Sequence, residues 1–160
     1  LPDTWNVGDS CMMAFGKKNY QIDIIGKNHD DYADGSGKAP LTFQMHTTYA
    51  TQYKMNGAEY NNCGWKNCLV RTSNAFPALK KVMPAEVVAA LKAVTKKTTA
   101  GGASSAIDTT ADTLFLLSEI EVQGTRTHSY AGEGTQYAYY QTAANRKKNR
   151  AGYLPSPIHI

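Results

Sequence analysis

Asp30, Asp34 and Gly35 come closest to a metal-site spacing in this chain. Oxygen ligands alternating with a sharp glycine turn suit a hard cation such as calcium. Tyr32 occupies one ligand position, however, and no glutamate closes the loop, so a plain Asp-Gly turn competes with a calcium site. No other cofactor is expected. Glu119 and Glu121 point to different sides whether the backbone is helical or extended, which does not suit the paired carboxylates of glycoside hydrolysis and favours helix capping. His29, His46, His128 and His159 are scattered, in no triad or metalloprotease spacing. Cys11, Cys63 and Cys68 cannot all pair within the chain and lack C-x-x-C spacing, so idle or buried thiols are expected. No nucleophile can be matched with a base, and the expectation is a non-enzymatic chain.

The stronger signal is aromatic. The chain has ten tyrosines, with Tyr49, Tyr53 and Tyr60 in one segment and Tyr137, Tyr139 and Tyr140 in another. Tyrosine joins a stiff apolar ring to a polar tip, which suits recognition of sugars and proteins. These six are the candidate ligand-binding residues; the competing reading is ordinary packing under a sheet.

A chain of 160 residues with 42% hydrophobic and 19% charged residues fits one folded domain spanning 1–160. The net charge of +4 is too mild for a nucleic-acid footprint unless the positive residues cluster. They do so only at Arg146, Lys147, Lys148 and Arg150, which reads as solvated surface, so nucleic acid is not an expected partner. The apolar run Leu114–Leu117 is far short of a membrane span. Leu1 stands where a start methionine would, with no basic-then-apolar leader, as expected of a processed product or an excised domain.

The elements that must position these residues follow from periodicity and breakers. Cys11–Phe15 and Tyr20–Ile25 read as a hairpin, and Leu41–Met45 as a third strand after a loop over 28–40. His46–Asn62 reads as a long ordered loop. Gly64–Ser73 reads as one short helix with Trp65, Cys68 and Leu69 on a face. Pro84 at a first helical position, Glu86, and the i, i+4, i+7 series Val87, Leu91, Val94 predict the clearest helix. A β-ribbon is expected from Val94–Thr99 and Ala106–Thr110 around a glycine-rich tip. Ser118 is expected to cap a short helix stopped by Gly124, and Gln136–Ala144 to form a last amphipathic segment. The class is α+β, with short helices on a small, mostly antiparallel sheet.

Four stretches also resemble a domain family of unknown function common in phages, prophages and gut Firmicutes: Asn28–Asp31 with Asp34–Lys38, Gly64–Cys68 with Arg71, DTLFLLSEIEVQG over 112–124, and GEGTQY over 132–137. The third is the most specific, combining an apolar strand, a serine cap, two spaced glutamates and a stopping glycine. The resemblance implies a C-type-lectin-like fold, similar to formylglycine-generating enzymes, without their activity, since no cysteine follows Cys68. It implies a phage or prophage surface module, on a virion or outside the cell, that binds a bacterial surface glycan or protein. Tyr153–Pro157 stands where the family continues into a Trp-rich segment and further strands. Truncation of those C-terminal strands would leave an open edge completed in a homo-oligomer or by other virion proteins, so a decoration or tail subunit is the alternative.

Overall fold

A computed structural model describes residues 4–146. The expected hairpin forms from β1 (Ser10–Phe15) and β2 (Lys18–Lys27), turning at Gly16 and Lys17, and β3 (Leu41–Met45) pairs with β2 to give an antiparallel sheet of order β1-β2-β3. Alternation puts Ile22, Ile24 and Met45 inside, and the register shifts between Ile24 and Gly26, where a bulge bends β2.

The segment after the loop 46–62 is α-helical but broken. Helix α1 (Gly64–Asn67) and α2 (Leu69–Thr72) meet at Cys68, whose ψ of 151° is extended. One continuous helix was the expectation; the extended Cys68 instead lets Trp65, Cys68 and Val70 all face the core. Helix α3 (Ala75–Val82) follows, a helix the sequence pattern does not announce because Pro77 looks like a breaker. Asn74 caps it by accepting the Ala75 N–H at 2.5 Å, so Pro77 falls in the first turn, where an N–H has no intrahelical acceptor to lose. Phe76 and Leu79 bury its inner face.

The helix expected to be clearest is short. Helix α4 (Ala85–Ala90) takes Pro84 as its cap, buries none of its residues and ends before Leu91. Val94 is not its last apolar position but the first residue of β4 (Val94–Thr99), which pairs with β5 (Ile107–Asp112) in a two-stranded antiparallel ribbon. Six cross-strand pairs from Val94↔Asp112 to Thr99↔Ile107 outcompete another helical turn for β-branched residues. The apolar run Leu114–Leu117 is not a strand; Leu114 and Phe115 are buried in irregular backbone after β5. Helix α5 (Glu119–Gln123) has the predicted start and stop: Ser118 and Glu121 form a reciprocal capping box, and Gly124 closes it at φ 73°. A 3-10 helix spans Ala138–Gln141.

One core, centred on Phe15, Ile22, Phe76, Leu79 and Phe115, joins sheet, helices and ribbon. A second holds Ile25 against Tyr137 and Tyr140. Short helices with small antiparallel sheets make the class α+β. Among the described residues no helix is long and apolar enough to cross a membrane. Lys147, Lys148 and Arg150 of the basic cluster, His159, and Tyr153–Pro157 with the strands expected to be missing after it lie outside the described residues.

Candidate functional site

The loop 46–62 has no regular structure, so its shape depends on what its ends and side chains touch. The Tyr49 ring lies 5.5 Å from the Tyr20 ring and 6.3 Å from Phe15, and Tyr53 packs half-buried on the same core. The carbonyl of Met55 accepts the Leu69 N–H at 2.9 Å, and that of Lys54 accepts the Asn74 side-chain amide at 2.9 Å. At the far end, Asn61 accepts the Gly64 N–H on its side chain (3.0 Å) and the Gly102 N–H on its carbonyl (2.7 Å). The loop is thereby held against α2, α3 and the ribbon tip.

Two glycines make the last contact possible. Gly101 has φ 81°, and a Cβ there would lie 2.3 Å from the Gly64 nitrogen; Gly64 has φ 61°, and a Cβ there would lie 2.6 Å from the Thr99 oxygen. Only residues without a side chain adopt that backbone at that separation.

Beneath the loop lies a cavity of about 260 Å³, close to the lower limit for small-ligand sites. Met55, Asn56 and Asn61 line it from the loop, Trp65 from α1, Thr98 from β4, and Glu133 from the segment after α5. Trp65 is fixed by donating its indole N–H to Asp112 at 2.9 Å. Glu133 is buried and accepts the Thr99 N–H at 2.7 Å. Asn56 and Asn61 accept hydrogen bonds on their side-chain oxygens, from Cys63 and Gly64; an amide so engaged offers its N–H groups outward. The hydroxyl of Thr98 is buried with no hydrogen-bond partner among the described residues. The exposed lining is mostly apolar, with the Asn56 and Asn61 amides as polar points, a combination that suits a ring-shaped ligand carrying a few hydrogen-bonding groups.

The sequence candidates divide between surface and core. Tyr60 is 69% exposed, and Tyr49 and Tyr53 are half-buried at the loop's base. Tyr137 and Tyr140 are 0% and 2% exposed, so their rings build core rather than displayed surface. Burial raises the Tyr137 phenol far above its ordinary value, with Glu121 and Asp30 adding to the effect. Tyr139 is half-buried; burial and then the neighbouring Asp23 carboxylate push it up to about 12.

Asp30 and Asp34 do not converge on one point. Asp30 turns inward, accepting the Thr42 hydroxyl at 2.5 Å and the Tyr137 hydroxyl at 2.7 Å. Asp34 stays at the surface, where hydrogen bonds from Ser36 and then Lys92 hold it at about 2. Among the described residues no group of three or more His, Cys, Asp or Glu could hold a metal ion. The Asp-Gly alternative fits this segment: Asp34 accepts the Ser36 N–H at 2.9 Å around Gly35, whose φ is 74°.

Glu119 and Glu121 part as expected. Glu121 is buried at the helix cap, whereas Glu119 accepts the backbone N–H groups of Thr127, His128 and Ser129 at 2.8–3.0 Å. The sequence reading missed one pairing: His46 Nδ1 lies 2.6 Å from the buried Asp23, which also accepts from Gln21 and Tyr139. Alternating polar residues on paired strands, Gln21 and Asp23 beside Gln44 and His46, were its only sequence signal. A further opening of about 370 Å³, mostly apolar, runs between the sheet, α4 and β4, with Trp5, Phe43 and Leu91 among its walls.

A family model described as Domain of unknown function (DUF6273) matches residues 41–157, well over half of the chain. The chain belongs to the DUF6273 family. Neither a curated protein nor a solved structure matches it. The DUF6273 match takes in the loop 46–62, Trp65, Thr98 and Glu133, so the whole lining of the loop cavity lies inside it. The β1–β2 hairpin and Asp30 precede it.

Proposed function

We propose that this DUF6273 chain is a non-enzymatic recognition module that binds a bacterial surface glycan in the cavity beneath the loop 46–62. A C-type-lectin-like scaffold of phage or prophage origin, displayed on a virion or outside the cell, is the setting that its sequence resemblance suggests. The observation that carries the reading is the Trp65 indole beside the side-chain amides of Asn56 and Asn61 on the cavity wall, an apolar ring next to hydrogen-bonding groups. Met55, exposed on the cavity wall, extends the contact surface. A bacterial glycan array probed with the isolated chain tests this. Retention of specific glycans that Asn56→Ala no longer retains is the expected result; a blank array together with binding to a host surface protein would reassign the target.

A structural virion subunit is the second reading, favoured by β1. That strand is an edge of its sheet, and Cys11, Met12 and Ala14 along it are exposed, Met12 at 64%. An exposed apolar edge is a template for strand pairing. Concentration-dependent dimers or filaments abolished by Met12→Lys would support a homo-oligomer or virion assembly; a monomer at every concentration would remove this reading.

A further inference from the structure

A cluster of buried charges stands apart from the proposed binding site. Lys96, on the inward face of β4, is 3% exposed, Asp30 6% and Glu121 3%. The Lys96 ammonium contacts the Glu121 carboxylate directly and lies 3.5 Å from Asp30 Oδ1. The Phe115 ring covers it at 4.1 Å and the Tyr137 ring at 5.5 Å. Two carboxylates share one ammonium in a dry site, and uncompensated charge there is costly.

The hydrogen bonds give the two acids different roles. Both Asp30 oxygens accept from hydroxyls, the Tyr137 hydroxyl at 2.7 and 2.9 Å and the Thr42 hydroxyl at 2.5 Å. Such donors polarise the carboxyl and would hold an oxyanion formed on it. Glu121 instead meets the nitrogen, while its other oxygen is fixed by the Ser118 N–H at 2.9 Å. Burial raises Glu121 above the ordinary carboxylate range, which suits a group that accepts and returns protons.

We propose that Lys96 and Asp30 condense to an intramolecular amide, with Glu121 as the proton shuttle. Lys96 passes one proton to Glu121, which relays it to Asp30; the neutral amine then attacks Asp30 Cγ. A C–N bond forms, and the carbonyl electron pair moves to the oxygen held by Tyr137 and Thr42. Glu121 takes a second proton from the nitrogen and delivers it to the departing hydroxyl. The C–O bond breaks, one water leaves, and the carbonyl reforms. One ammonium and one carboxylate become a neutral amide and water, with no oxidant or activating group required. Preorganised neighbours in a dry site favour such a condensation, because the reacting groups have no translational freedom left to lose. Asp30 and Phe115 also line the larger opening of about 370 Å³, a route by which the water departs. The bond would join the segment after β2 covalently to β4, stapling one sheet to the other.

Intact-mass spectrometry of the purified, denatured chain, followed by tandem mapping of its peptides, tests this without depending on how any variant folds. The expected result is a mass lower than that of the sequence by one water, with a branched peptide joining Lys96 to Asp30. Glu121→Gln and Asp30→Ala should each return the full sequence mass. Full mass in the unsubstituted chain, or a branch joining Lys96 to Glu121, would overturn the proposal.

Discussion

Trp65 and Asp112 are joined by a 2.9 Å hydrogen bond that ties the cavity wall to the end of β5. Asp112 also accepts from Arg71 at 2.7 Å and from the Thr110 hydroxyl at 2.5 Å. Removing it strands an indole N–H and a half-buried guanidinium together. Asp112→Ala should therefore cost about 3 kcal/mol in urea denaturation. A loss below about 0.5 kcal/mol, the scale of an ordinary surface change, would mean the bond does not hold the wall.

Thr98 separates stability from binding. Valine has nearly the shape of threonine without a hydroxyl to leave unmatched, so Thr98→Val should stabilise the free protein by about 1 kcal/mol. The Thr98 oxygen has no surface open to the cavity, so the same variant should keep its glycan affinity, whereas Asn56→Ala should bind about tenfold more weakly, as expected from one lost hydrogen bond. Thermal unfolding and titration calorimetry read the two effects separately; a destabilised variant would show that Thr98 already has a partner in solution.

Glu119 supplies a pH dependence with a defined sign. The His128 N–H foremost, with Thr127 and Ser129, holds its carboxyl at about 2 instead of the ordinary 4.5. A depressed folded-state value means that its contribution is complete above about pH 4.5 and fades as the pH falls toward 2. Protection of the Thr127–Ser129 amides, measured against their intrinsic exchange rates, should fall across that window. Glu119→Gln should lower that protection already at neutral pH; unchanged protection in the variant would contradict the assignment.

Much of the fold was legible because its signals are local. Gly16 and Lys17 mark the hairpin, Gly101 and Gly102 the ribbon tip, and Ser118 with Glu121 the capped helix. Helix α3 was hidden because Pro77 reads as a breaker until Asn74 is known to cap the turn. Lys96 and Lys97 read alike in sequence, yet strand alternation buries the first among Asp30 and Glu121, each far away along the chain. The Tyr-rich loop was anticipated, whereas the cavity was not, since its walls come from five separated segments. Tyr137 and Tyr140 follow the same logic, as a ring's burial depends on what packs over it.

Gly101 tests how the loop is held. Alanine there meets both an unfavourable backbone angle and the Gly64 nitrogen, so Gly101→Ala should cost about 2 kcal/mol or more. It should also expose 46–62 to limited proteolysis, whereas Gly102→Ala, which meets a similar backbone angle (φ 61°) but no close atom around its Cβ, should leave that segment more resistant. Equal cleavage of the two variants would show that the loop does not depend on this contact.

The central claim is that a glycan occupies the cavity under the loop. Amide chemical-shift mapping during titration with an array-selected bacterial glycan tests it most directly. The account predicts shifts concentrated at Asn56, Asn61, Thr98 and Glu133, saturating together; shifts confined to the Trp5, Phe43 and Leu91 opening, or none at all, would contradict it.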